Sequence, residues 1–271
     1  IKDVEIGVEV LTSSGYKSVT NKFHQGIQRV INIKTQDGYF KCTPNHKMAV
    51  LNSIDKYDWF EASKLKSGDR LISPRVNIDG TKQTLPSWSY EKTKHSTTCQ
   101  DITIPELDAD MAWFVGIFHA DGYTFANRAN NGMNGYVSLV FNEYEYDIAV
   151  KAKEQRIRFG VTNVTLEHRK NENSWMVRCT SKQLAYYFDE HFKKPKTTIR
   201  IPKFILEGTQ DNKLAYVCGV MDGDGCTGNR PVCVLSTVYK EFAQDIQLLL
   251  YSCGIESRFS AENEGQASRV G

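Results

Sequence analysis

Over residues 4–71 apolar and polar positions alternate in short runs separated by turn-forming residues. Residues 8–11, 28–33 and 39–42 carry the two-residue period of strands, with Ser14-Gly15 and Asp37-Gly38 as turns between them. Residues 47–51, 59–62 and 65–72 continue in the same way, so the front of the chain predicts an all-β module over 1–75. Residues 76–101 are polar, with Gly80, Pro86 and a Ser/Thr/Lys-rich stretch, and read as a linker or a DNA-facing connector. Trp88, Tyr90, Lys92, Lys94 and His95 mix aromatic and basic side chains there.

Beyond residue 102 the period lengthens. Two apolar stretches, 111–122 and 214–225, superpose at Ala112/Ala215, Gly116/Gly219, Asp121/Asp224 and Gly122/Gly225 with a constant offset of 103. That constancy marks an internal repeat. Each stretch has the length of a short helix, a glycine in mid-run and an Asp-Gly stop. A mid-helix glycine costs about 1 kcal/mol relative to alanine. Keeping one twice predicts that bare backbones meet there, with two aspartates emerging side by side below.

The first copy continues as a strand over 136–141, a helix over 146–157 ending before Gly160, a hairpin of 162–168 with 174–179, and a helix over 181–192. Ile201-Pro202 marks the boundary. The second copy continues as a strand over 231–236, a helix over 239–252 and a strand over 255–260. The expected class is α+β: a mostly-β module, then repeats over 102–200 and 201–271 arranged with pseudo-twofold symmetry. Copy two has 47 residues after Asp224, against about 70 in copy one, so its last strand and closing helix are expected to be missing.

Composition narrows the class without deciding it. The chain of 271 residues is 40% hydrophobic and 24% charged, as suits one to three globular domains. No apolar run approaches the roughly 20 residues of a membrane span, and residues 1–5 lack a signal-peptide layout. Seven cysteines, none in a C-x-x-C pair, point to a reduced compartment, cytoplasmic or nuclear, and away from zinc. Net charge is +2, yet residues 123–210 hold 14 Lys/Arg against 9 Asp/Glu, an excess of five that is compatible with a polyanion partner.

The front module resembles the Hint module, the fold of inteins and of hedgehog autoprocessing domains. Residues 6–10, 35–38, Cys42-Thr-Pro-Asn-His46, Trp59 and 62–69 carry the resemblance. It implies that Thr43 and His46 polarise the peptide bond at an upstream splice junction, whereas Thr-Pro-Asn-His read alone is a β-turn. Val8 stands where the family has Asp. The family also opens with a nucleophilic Cys or Ser more than a dozen residues before Ile6-Gly7. The chain given starts at Ile1, so it is expected not to splice in this form.

Residues from about 105 onward resemble the LAGLIDADG homing endonucleases carried by inteins, on the strength of residues 114–122 and 217–225. The resemblance implies two packed motif helices and a saddle of two antiparallel sheets over double-stranded DNA. It further implies Mg²⁺ (two or three ions, with Mn²⁺ able to substitute) at Asp121 and Asp224, the contribution of the backbone at position 120 being left open. The pair would hydrolyse one phosphodiester per strand. Gly116 and Gly219 take the helix interface. The family's acidic residue two places earlier is Asp222 in copy two and His119 in copy one. A catalytic cation is expected at Lys196 or Arg200, although Ile stands where the family has Lys. Candidate DNA contacts are Arg128, Arg169, Lys170, Arg178, Arg230 and Arg258, chosen as basic residues on predicted strands and loops. The expected partners are DNA and flanking host-protein segments, for a monomer. Two other readings remain at this stage: a LAGLIDADG protein that grips nucleic acid without cutting, and a splicing element whose endonuclease has decayed.

Overall fold

Three separate antiparallel hairpins form the front of the chain: β1 (Glu9–Thr12) with β2 (Gly15–Ser18), β3 (Ile31–Thr35) with β4 (Gly38–Cys42), and β5 (Lys47–Ser53) with β6 (Lys56–Glu61). The computed structural model describes residues 3–12, 14–35, 38–72, 80–91, 99–126, 135–192, 199–227, 232–261 and 268–270. The third strand begins at Ile31 rather than 28, since residues 28–30 are exposed and unpaired in any ladder. Gly15, where the first hairpin closes against Thr12, has φ +90°, a conformation that favours glycine. The turn at 66–69 is closed by the Lys66 N–H donating to Asp69 Oδ2 (2.7 Å), with Gly68 at φ +97°.

The rest of the chain is built around two helices. Helix α1 (Ala109–Asp121) starts where Asp108 accepts a capping bond from the Met111 N–H (2.9 Å). Burial pushes the Asp108 carboxyl up, but Arg158, at 2.8 Å, and the capping bond outweigh it and hold it below its ordinary range. Residues 111–119 are all buried, so this helix is apolar all round and runs through the core. It is followed by β7 (Tyr123–Ala126), β8 (Gly135–Asn142), α2 (Tyr146–Ile157), β9 (Val164–Arg169), β10 (Ser174–Thr180) and α3 (Lys182–His191). The four strands form one antiparallel sheet in the order β7-β8-β10-β9. Leu139, Val137, Val177 and Cys179 point from it into the core.

A short helix α4 (Lys203–Leu206) leads to α5 (Gln210–Asp224), capped by Thr209 on the Asn212 N–H (3.2 Å). Then come β11 (Gly225–Thr227), β12 (Cys233–Thr237), α6 (Lys240–Ser252), β13 (Phe259–Ala261) and β14 (Ser268–Val270). Their sheet has the order β11-β12-β14-β13, the same first-second-fourth-third arrangement as the first. The fold is thus mixed α and β with small antiparallel sheets.

Three expectations need correcting. The strand expected to be missing from copy two is present: β14 pairs with both β12 and β13, with Leu235 opposite Val270 as Leu139 is opposite Val177. The strand expected over 255–260 forms only from Phe259, because residues 253–258 turn out of the helix through Gly254 at φ +78°. Residues 80–91, read as connector, pack on the core. Leu85 is buried, Trp88 Nε1 donates to Gln183 Oε1 (3.3 Å), and Tyr187 donates to the Pro86 carbonyl (3.0 Å). Lys92, Lys94 and His95 lie outside the described residues. Among the described residues no helix is long and apolar enough to cross a membrane.

Candidate active site at the crossing of two helices

Helices α1 and α5 meet at their glycines. A Cβ added at Gly116 would stand 2.1 Å from the Tyr216 carbonyl oxygen, and one at Gly219 would stand 2.0 Å from that of Trp113. Real side chains do not approach backbone this closely, so only glycine permits the crossing. The crossing carries the last turns of both helices together. A Cβ at Gly223 would lie 2.4 Å from the Ala120 Cβ and 2.9 Å from Asp121 Oδ2. The Asp121 carboxylate therefore lies directly against residue 223, the neighbour of Asp224. Asp121 and Asp224 each end their helix, and both are exposed.

This arrangement fits a hard divalent cation. Magnesium binds through one or two carboxylates, with water and phosphate oxygens filling its shell, and Asp121 and Asp224 present exposed carboxylates at adjoining helix ends. No group of three or more His, Cys, Asp or Glu converges among the described residues, so no closed protein-only metal cage is built there.

The two helix ends are also tied across the interface. Trp113 Nε1 of α1 donates to Asp222 Oδ2 of α5 (2.7 Å), and His119 Nδ1 of α1 bonds the Tyr216 hydroxyl of α5 (2.6 Å). His119 Nε2 lies 2.7 Å from the carbonyl oxygen of Phe192. A carbonyl only accepts, so Nε2 carries the proton and Nδ1 accepts from Tyr216. Burial, reinforced by the charge of Asp245, raises the Tyr216 phenol well above its ordinary pKa. The repeat pairs His119 with Asp222 as equivalent positions without giving their partners; the same offset of 103 relates Trp113 to Tyr216.

Arg200 is bound to Asp245 of α6 through two contacts, Nε to Oδ2 (2.6 Å) and Nη2 to Oδ1 (2.9 Å), and that bond raises its pKa. Its donor edge is thereby committed to the α6 carboxylate. Lys196, Arg128 and Arg230 lie outside the described residues. On the first sheet, side chains opposite to the core-facing ones include Tyr123, Phe125, Tyr136, Met176 and Arg178. The Arg178 guanidinium stacks 3.9 Å over the Tyr136 ring, and Phe125 stacks on the same ring at 5.3 Å. Arg169, on this open face at the end of β9, pairs with Glu172; Lys170 is exposed in the following turn, and Arg258 is exposed ahead of β13. The aromatic group went unread because β7 is only four residues long.

Thr43 and His46 sit on the turn between β4 and β5, where the His46 N–H donates to the Thr43 carbonyl (3.0 Å). His46 is exposed and Thr43 half-buried. The Ala62 and Ser63 N–H groups fix the turn from the other side, bonding the His46 and Pro44 carbonyls at 2.8 and 2.9 Å.

Residues 211–270, which span α5 through β14, match the family described as a LAGLIDADG-like domain. Over 263 residues the sequence is 26% identical to the replication factor C small subunit of Methanocaldococcus jannaschii, covering 93% of this chain and 14% of that protein. Over 265 residues it is 21% identical to an iron–sulfur cluster assembly SufBD family protein of Mycobacterium leprae, covering 93% of this chain and 29% of that protein. The chain thus spans less than a third of the length of these curated relatives. Among solved structures, I-DmoI in complex with DNA and Mn is similar over 60% of this chain and 89% of that one, with a TM-score of 0.45 and 14% identity.

Proposed function

We propose that this chain is the endonuclease-bearing part of an intein, a two-repeat LAGLIDADG enzyme that makes a metal-dependent double-strand break in a long DNA target. The observation that carries this reading is the pair Asp121 and Asp224. They sit at equivalent helix ends, brought together by a backbone contact that only Gly116 and Gly219 permit. The second of them lies in the stretch matched to a LAGLIDADG-like domain. Bound there, Mg²⁺ or Mn²⁺ would supply charge stabilisation for the scissile phosphate and an acidified water. The protein's own part is to fix the spacing of the two carboxylates, one from each repeat. The sheet open faces, with Arg178 and Arg169 on the first, would take phosphate and groove contacts.

The intein assignment is supported by the pattern of relatives. Nearly the whole chain aligns inside two proteins of unrelated name, as a small fraction of each. A segment shared by unrelated hosts is what an inserted element leaves. In that reading the front hairpins are a Hint module with Thr43 and His46 at its junction site, the repeats occupy 102–200 and 201–271, and host-protein segments flank the chain. Arg200 is bound elsewhere, so the catalytic cation falls to Lys196.

The test uses a supercoiled plasmid library of random inserts incubated with the protein and Mg²⁺. The wild-type chain should linearise a subset of plasmids, which are recovered and sequenced. On a recovered plasmid Asp121→Asn and Asp224→Asn should each lose double-strand cutting by at least about a hundredfold, as expected when a group acting only in the transition state is removed. Unchanged cutting by either variant would sink the two-carboxylate reading.

A further inference from the structure

The two cross-helix hydrogen bonds are one device used twice. In each, an aromatic donor on one motif helix reaches the residue two places before the aspartate on the other: Trp113 to Asp222, and Tyr216 to His119. The two copies differ in surroundings. His119 is fully buried and held at both ring nitrogens, the second by the Phe192 carbonyl at the end of α3. The neighbouring Phe118 packs edge-on against Phe188 (4.8 Å), which closes the same turn from the other side. Asp222 is exposed although its indole partner is buried, and the Lys151 ammonium lies 4.2 Å over the Trp113 ring.

We propose that these are positioning pairs, each setting one aspartate, so that the Tyr216–His119 bond governs Asp121 and the Trp113–Asp222 bond governs Asp224. This rests on the endonuclease reading above. The last turn of a helix has carbonyls without intrahelical partners and frays, so a side-chain tie two residues from its end decides how well the terminal residue is held. Breaking a buried hydrogen bond strands its partner, whereas water replaces the lost donor at an exposed carboxylate. The two strands of a duplex target therefore respond to different residues and by different amounts. Because each aspartate answers chiefly to one strand, the effect is strand-selective.

The experiment is single-turnover cleavage of a plasmid-derived target recovered as above, labelled differently on its two strands, with saturating protein and Mg²⁺. Tyr216→Phe and His119→Leu should slow the same strand by on the order of tenfold and leave the other within about twofold. Trp113→Phe should slow the opposite strand, by about threefold. His119→Gln, which keeps a donor for the Phe192 carbonyl and an acceptor for Tyr216, should return that strand to within about twofold of wild type. Equal slowing of both strands by Tyr216→Phe overturns the proposal, as does slowing of one common strand by Tyr216→Phe and Trp113→Phe, or a Gln variant no faster than the Leu variant. Should His119→Leu fail to fold by circular dichroism, the Phe and Gln variants carry the same comparison. A wild-type chain that cuts no library plasmid ends the endonuclease reading itself, whereas unselective slowing beside an active wild type overturns only the positioning pairs.

Discussion

A methyl group at Gly116 would have to displace the backbone of α5, since the contacting atom is the Tyr216 carbonyl oxygen rather than a mobile side chain. Gly116→Ala and Gly219→Ala should therefore each cost about 1–3 kcal/mol, as overpacking a dense interior does. Urea denaturation would read this as a lower midpoint at constant slope. The aspartates would also be forced apart, so cutting should fall further than the stability loss explains. These four positions, two glycines and two aspartates, could be read from the sequence because the repeat names them twice. The pairs Trp113–Asp222 and Tyr216–His119 could not: a repeat gives equivalence, and partnership needs the crossing. Arg156 was hidden for a different reason. It sits in a helix with mixed charge, yet it is fully buried, donates to the Val137 and Val177 carbonyls (3.1 and 2.7 Å), and burial lowers its pKa to about 9.

Among elements, the longer helices and strands follow from period and punctuation, and among the described residues every α-helix but the four-residue α4 lies where the apolar spacing places it. Strands β7 and β11 were missed because three or four residues following a helix show no alternation. The stretch 80–91 was misjudged because its composition is polar, while Leu85 and Trp88 alone supply its anchorage. That anchorage has a titratable neighbour. His191 at the end of α3 packs on Tyr187 (4.9 Å) and Trp88 (6.3 Å), and burial lowers its pKa despite the opposing charge of Glu190. A histidine whose folded pKa is depressed contributes stability that is present above its unfolded pKa of about 6.5 and is lost as pH falls through the folded value. Thermal melting should therefore weaken between neutral and mildly acid pH, and His191→Gln should flatten that slope. An unaltered slope in the variant would remove His191 as its source.

At the scale of the molecule the two parts of the chain are held differently. Residues 3–72 bury only Val50 and Ala62 among described hydrophobic residues, whereas residues 85–249 share one continuous core. Polar links join the two: Lys203 pairs with Glu9 (3.6 Å), and the Lys240 ammonium lies 4.4 Å over the Tyr39 ring. The second part is itself two halves whose strongest junction is the α1–α5 crossing, so a ligand that binds one carboxylate from each half clamps that junction. A ligand specific to the folded state stabilises by about 2.7 kcal/mol at a hundred times its Kd. In the absence of DNA, millimolar Mn²⁺ should accordingly raise the melting temperature of the wild-type chain, and EDTA should reverse the rise. Asp121→Asn should reduce the increment, and the combined Asp121→Asn, Asp224→Asn variant should abolish it while Ca²⁺ tested in parallel follows the same order. An increment that survives the double substitution would place the cation away from the helix ends and detach the metal from the two aspartates.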